Sequence, residues 1–176
     1  LEENLLNPNK LDFNVDDWVY GPGIPDNAVV PQSERLEKVE TAINEFLANY
    51  KPNELKTSEW TTHEWLHFLR HLPDNLSAED MKKLDEAFGF TNTGNSEIAA
   101  AWFEKSITNN YEASYPKMKE FLINVGRRKF LTPLYKGLAK TKEGKKMALE
   151  IYEEARPNYH SVSRNTIDEV LDYQKN

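Results

Sequence analysis

Apolar residues recur at intervals of three and four along most of the chain, which is the spacing of one face of an α-helix. Almost no stretch alternates in the manner of a half-buried strand. Proline or glycine follows most of the periodic runs, as it does at many helix ends. The pattern predicts an all-α domain with helices at about 33–50, 61–72, 77–89, 96–108, 114–125 and 143–156.

Short helices joined by short polar loops predict stacked antiparallel helix pairs. We therefore expect a two-layer, right-handed α–α superhelix of the armadillo or HEAT type, although no clean sequence repeat is visible. The predicted organisation is an extended linker over residues 1–31, a helical domain over 32–163 and a tail over 164–176.

Length, charge and composition exclude several classes of protein. A chain of 176 residues is long enough for one compact domain. Its net charge of −7 disfavours general binding to nucleic acid or to an anionic membrane surface. The absence of cysteine excludes disulfides, thiolate metal sites and cysteine nucleophiles. No apolar run approaches the roughly 20 residues of a membrane-spanning helix.

Residues 63 to 67 spell His-Glu-Trp-Leu-His, which matches the His-Glu-x-x-His signature of zinc peptidases. In such enzymes the two histidines bind zinc and the glutamate activates a metal-bound water. Glu86 follows His67 by nineteen positions, a spacing at which one class of peptidase places its third ligand. One hypothesis is therefore a minimal zinc peptidase that uses His63, Glu64, His67 and Glu86.

Helix geometry favours a structural role for the same residues. Trp65 and Leu69 share one helical face, which places His63 and His67 on the opposite face, towards water. Thr61 is a favourable N-cap, and Glu64 then falls at the third helical position of a capping box. The apolar face of the next helix leaves Glu86 on the solvent side. On this interpretation the chain holds no metal.

Three cations, Arg127, Arg128 and Lys129, follow the end of a predicted helix at Gly126, where another helix begins. An arginine fork beside a lysine suits a carboxylate, because arginine can bind both oxygens while lysine adds a point charge. The alternative is a solvated basic turn that helps to cap the carbonyl groups of the preceding helix.

Several segments, in order, resemble the carboxy-terminal helical domain of leukotriene A-4 hydrolase and its zinc aminopeptidase relatives. The first is Trp-Val-Tyr-Gly-Pro-Gly-Ile-Pro over 18–25, and the second is Asn-Ser-Glu-Ile over 95–98, with Trp102 beyond it. Gly-Arg-Arg-Lys-Phe over 126–130 and Pro-Leu-Tyr-Lys over 133–136 follow. The resemblance spans about residues 16 to 163.

The resemblance implies that Arg127 and Lys129 bind the free carboxylate of a short peptide substrate, with Arg128 exposed at a variable position. It also implies that the zinc and the catalytic residues belong to an upstream catalytic domain, this chain's main partner. We therefore expect no catalytic residue and no cofactor in this chain, zinc in the parent enzyme, and no activity from the chain alone. Its beginning at Leu1 is interpreted as a truncation.

The remaining expectations concern alternatives and location. A free-standing helical module that binds partner proteins on a concave face is the runner-up function. Tyr159 and His160 are expected to be structural, and so are five aromatic residues at helical spacing, Trp60, Trp65, Trp102, Phe103 and Tyr111. We expect the whole protein to be cytoplasmic, with a periplasmic or secreted location left open because targeting information could lie upstream of Leu1.

Overall fold

The computed structural model describes residues 15–25, 28 and 33–174. Within these ranges the regular elements are helical and no strand is formed, which confirms the all-α prediction. Short 3-10 turns connect several of the helices. The α-helices are α1 (Val15–Val19), α2 (Glu34–Leu47), α3 (Thr62–His71), α4 (Ala78–Phe88), α5 (Ser96–Thr108), α6 (Tyr115–Asn124), α7 (Arg128–Leu138), α8 (Lys142–Ala155) and α9 (Ser161–Leu171).

The chain divides into two compact units, Leu1–Ser33 and Glu34–Asn176. In the first unit, the structure describes α1 and the turn and bends that follow it, with Tyr20 and Ile24 both 82% exposed. The predicted extended linker is therefore wrong over residues 15–19, which form a helical turn and a half. The rest of that prediction falls largely on 1–14, 26–27 and 29–32, which lie outside the described residues.

In the second unit, alternate helices pack on one another, as a two-layer arrangement requires. Helices α3, α5, α7 and α9 lie side by side in that order, α2 packs on α3, and α6 packs on α8. The right-handed superhelical path stays a prediction. The apolar faces meet in one core whose largest fully buried side chains are Trp102, Tyr135, Tyr152, Phe68 and Phe103. Burial of each of the two phenylalanines stabilises the fold by about 1.5–3 kcal/mol.

Polar side chains cap the first turns of α3, α4 and α5. Thr61 accepts a hydrogen bond from the first turn of α3, as predicted, and Ser77 does the same for α4. Asn95 caps α5, because its Oδ1 accepts from the amides of Glu97 and Ile98 at 3.0 and 3.4 Å. Its Nδ2 donates to Thr62 Oγ1 at 2.9 Å, so the beginnings of α3 and α5 are tied together.

The predicted boundary at Ser163 is wrong, because it falls inside α9. That helix runs to Leu171, and Ile167 and Leu171 are 0% and 1% exposed in the core beside α7. Residues 164–171 therefore belong to the helical unit and not to a separate tail. None of the described helices has the length and apolar character needed to cross a bilayer.

Helices α5 and α7 approach closely at one end. A Cβ atom added at Gly137 of α7 would lie 3.2 Å from Cγ2 of Ile107 on α5, tighter than ordinary van der Waals contact. Glycine at this position therefore allows the two helices to pack at their observed separation.

Candidate functional site

The connection between α6 and α7 is held in place from the far end of the chain. Ser163 Oγ donates to the Gly126 carbonyl at 2.9 Å, and the Tyr159 hydroxyl donates to the Leu122 carbonyl. The same hydroxyl lies 3.1 Å from the Tyr135 hydroxyl, and Tyr159 is 4% exposed. Burial raises the pKa of Tyr159 to about 12, so it remains a neutral hydrogen-bonding group. The structural role expected for Tyr159 agrees with these contacts.

Arg127 and Lys129 extend from this fixed connection and meet at Phe130. Arg127 is the N-cap residue of α7, but its side chain forms no capping hydrogen bond. Its Cζ lies 5.4 Å from the centre of the Phe130 ring, and Lys129 Nζ lies 5.5 Å from the same centre. Phe130 is 4% exposed and anchored in the core, so a single ring supports both cations.

Glu97, in the first turn of α5, already places a carboxylate beside these two cations. Lys129 Nζ donates to both of its oxygens at 2.7 and 2.6 Å, and Arg127 Nη1 lies 3.8 Å from Oε1. The hydrogen bond from Lys129 is the largest cause that holds the pKa of Glu97 below its usual value, with Arg127 and Arg70 adding to it. Glu97 was not among the predicted site residues, although the Asn-Ser-Glu-Ile segment contains it.

The arrangement leaves the arginine fork available to an external anion. The Arg127 side chain is 65% exposed, and its guanidinium forms no hydrogen bond within the described part of the chain. The Lys129 side chain is 54% exposed even though it contacts Glu97. Arg128 is exposed as well. The surface can therefore bind a carboxylate through Arg127, with Lys129 as a nearby positive charge.

Glu64 of the His-Glu-x-x-His sequence is engaged in the helix cap and in an ion pair. Its Oε2 accepts from the Thr61 amide at 2.8 Å and from the Thr61 hydroxyl, and its Oε1 accepts from Arg35 Nε at 2.5 Å. The Thr61 hydroxyl and then Arg35 lower the pKa of Glu64 to about 2. Both oxygens are thus occupied, and the residue is 5% exposed. The contact with Arg35 was not foreseen from the sequence.

The other candidate ligands also have separate surroundings. His63 is exposed, and Glu86 lies 3.8 Å from Lys82 on its own helix. The expectation that His67 faces water is wrong: its side chain is 17% exposed, with Nε2 3.5 Å from Glu40 and its ring stacked on a neighbouring histidine. No group of three or more histidine, aspartate or glutamate side chains is placed to hold a metal among the residues that the structure describes.

The remaining residues expected to be structural lie in or against the core. Trp102, Phe103 and Tyr111 are 0%, 2% and 8% exposed, and Trp60 and Trp65 pack partly buried against the same core. His160 is the N-cap of α9, where its Nδ1 accepts from the amide of Val162 at 3.3 Å.

The chain is similar to a known protein family and to several named proteins. A family model described as "Leukotriene A4 hydrolase, C-terminal" matches residues 60–171. The chain is 26% identical over 180 residues to leucine aminopeptidase 2 of Phaeosphaeria nodorum, covering 97% of this chain and 29% of that protein. It is 29% identical over 126 residues to leucine aminopeptidase 2 of Neurospora crassa, covering 70% of this chain and 19% of that protein.

Solved structures give the same fold. Yeast LTA4 hydrolase in complex with bestatin superposes with a TM-score of 0.70 at 18% identity, covering 92% of this chain and 30% of that one. Native yeast LTA4 hydrolase superposes with a TM-score of 0.71 at 18% identity, covering 95% of this chain and 31% of that one. The chain therefore spans less than a third of the length of each of these relatives.

Proposed function

Because the chain belongs to the family of leukotriene A4 hydrolase C-terminal domains, we propose that it closes the substrate tunnel of a zinc aminopeptidase and binds the free carboxylate of the substrate. The catalytic zinc belongs to an upstream domain in this proposal. The aminopeptidase names of the fungal relatives support the activity of the parent protein. A cytoplasmic location for that protein stays a prediction.

The observation that carries the proposal is that the chain's own Glu97 carboxylate lies beside Arg127 and Lys129. Lys129 contacts both oxygens of Glu97 within 2.7 Å, and the Arg127 guanidinium lies just beyond hydrogen-bond distance. A surface that holds one carboxylate in this way has the charge and the donor geometry to hold a second one on its exposed side. Arg127 supplies the bidentate contact, and Lys129 strengthens the local positive potential.

The role of these residues is to orient the substrate. A peptide fixed at its carboxyl end by Arg127 has its amino end at a distance set by its length, so the contact selects short peptides of one length. Holding reactants in place in this way lowers the barrier by removing translational and rotational freedom before the reaction. Zinc, when bound in the upstream domain, would supply the activated water.

The zinc peptidase alternative within this chain does not fit its residues. A catalytic glutamate must be free to take a proton from the metal-bound water. Both oxygens of Glu64 instead accept hydrogen bonds from Thr61 and Arg35. We therefore assign this segment to the structure of α3.

Kinetics of the full-length protein test the proposal. Arg127→Ala is expected to lower kcat/KM for tripeptides with a free carboxylate by about 30-fold or more, since loss of one partner from such a pair costs about 2 kcal/mol or more. Aminoacyl anilides carry no carboxylate and should change little. Arg127→Lys should rescue partly, because the ammonium keeps the charge and loses the fork.

Arg128→Ala is the matched control, since it removes an exposed cation one position away. It should leave both substrate classes near wild type. Equal losses for tripeptides and anilides in Arg127→Ala, or a large drop in its melting temperature, would assign the segment to helix capping. A coding sequence without a catalytic domain upstream of Leu1 would favour the free-standing interaction module.

A further inference from the structure

Glu97 lies at the beginning of α5, beside the two cations that it contacts. It lies in the first turn of α5, where its amide donates to the Asn95 cap at 3.0 Å. A carboxylate is favourable at this end of a helix because the unpaired amide groups carry partial positive charge. Its side chain is 28% exposed, less than those of Arg127 and Lys129. Glu97 is thus a fixed negative charge at the edge of the proposed carboxylate site.

The net charge of the Arg127, Lys129 and Glu97 side chains is +1. Arg127 and Lys129 contribute two positive charges and Glu97 removes one, since Lys129 keeps the pKa of Glu97 below its usual value and the group is ionised at neutral pH. The Lys129 ammonium is directed at both oxygens of Glu97, whereas Arg127 has no such hydrogen bond. One incoming carboxylate therefore neutralises these three side chains. Glu97 would repel a second carboxylate, with Arg70 offsetting part of its charge.

We propose that Glu97 is a specificity-determining residue that limits this site to substrates carrying one negative charge at their carboxyl end. The inference rests on the proposed function, because it assumes that Arg127 binds the terminal carboxylate. A peptide ending in aspartate or glutamate brings a second carboxylate within a few ångströms of the first. Like charges brought together repel, which reduces binding. Glu97 thereby selects peptides whose last residue is neutral or basic.

The test compares two tripeptides that differ only in ending in asparagine or aspartate, assayed on the full-length enzyme. Wild type is expected to prefer the asparagine peptide in kcat/KM. In Glu97→Gln this preference should fall by about fivefold or more, because the amide still accepts from Lys129 but no longer repels the second carboxylate. The asparagine peptide should gain less than the aspartate peptide, because it brings only one carboxylate close to residue 97.

Glu104→Gln is the matched control. Glu104 lies two turns further along α5 on nearly the same face and is exposed, so its replacement changes the net charge equally without touching the cluster. It should leave the preference unchanged. Screening provides a second measurement that needs no variant: the wild-type preference should shrink as salt rises from about 0.05 to 0.5 M.

The outcomes separate the two proposals. Suppose that Arg127→Ala lowers kcat/KM for tripeptides only, and that Glu97→Gln keeps the wild-type preference for the asparagine peptide. The role of Glu97 is then overturned and the proposed function stands. If Arg127→Ala affects tripeptides and anilides equally, the proposed function itself fails. An equal shift in Glu104→Gln, or a preference that is insensitive to salt, would also overturn the role of Glu97.

Discussion

The amide of Thr61 donates a 2.8 Å hydrogen bond to the Glu64 carboxylate, which closes the first turn of α3. The same carboxylate accepts from Arg35, 29 positions earlier in the chain, so the cap also joins α3 to α2. A sequence that matches a peptidase signature thus serves to fix the packing of two helices.

Replacement of the two capping residues should destabilise the fold. Thr61→Ala is expected to lower the free energy of unfolding by about 1 kcal/mol through loss of the cap. The capping box alone predicts a smaller loss for Glu64→Gln, since glutamine also serves at the third position. The ion pair with Arg35 changes that expectation, and Glu64→Gln should cost at least as much as Thr61→Ala. Urea unfolding measures both, with Glu104→Gln as the exposed control.

Glu64 should also make the stability of the fold depend on pH in the acid range. Its pKa is about 2 in the fold against a usual value of 4.5, so its contribution is complete above about pH 4.5 and is lost as the pH falls towards 2. The difference in melting temperature between wild type and Glu64→Gln should therefore be largest near neutral pH and shrink between pH 4.5 and 2. A difference that is constant over this range would contradict the assignment.

The chain should bind no stoichiometric zinc and cleave no aminoacyl substrate on its own. Glu64 is held by Thr61 and Arg35, and His67 lies beside Glu40, so the groups required by a zinc peptidase have other contacts. Plasma emission of the dialysed chain measures the metal content. Near one zinc per chain, lost in His67→Ala, would show that this prediction is wrong.

Tyr159→Phe should lower the free energy of unfolding by about 1–3 kcal/mol, since it removes the hydroxyl that donates to the buried end of α6. The effect should extend to the proposed site, because Tyr159 and Ser163 hold the connection from which Arg127 extends. In the full-length enzyme we expect a higher KM for tripeptides and little change for anilides. Tyr50→Phe is the control, because Tyr50 is 52% exposed. A similar decrease in the free energy of unfolding in Tyr50→Phe would contradict the prediction.

Local sequence signals predict most of the helices because their caps and apolar spacing lie within a few residues of one another. Thr61 shows this, since it starts α3 where its side chain predicts a helix. Helix α9 escaped prediction because Ser161, Asn165 and Thr166 are weak helix formers. Its stability comes from Ile167 and Leu171 packing into the core, which depends on α7 being already in place.

The candidate site was predicted in part. The family assignment is confirmed, while the binding role that the resemblance implies for Arg127 and Lys129 stays a prediction. Glu97 and Arg35 were missed as partners because each contact joins residues about 30 positions apart. His67 was assigned to solvent from its helical face, but Glu40 of α2 packs beside it. Helical periodicity gives the direction of a side chain and not the neighbouring helix that covers it.

Gly137 lies at a close contact between α5 and α7. One missing methyl group allows the helices to touch at Ile107, while the cations and Glu97 face each other at the opposite end, about 12 Å away along the helix axis. A methyl group at 137 would require Ile107 or α7 to shift by a few tenths of an ångström. We therefore expect Gly137→Ala to change the distance between the Lys129 ammonium and the Glu97 carboxylate only if α7 moves and Ile107 does not.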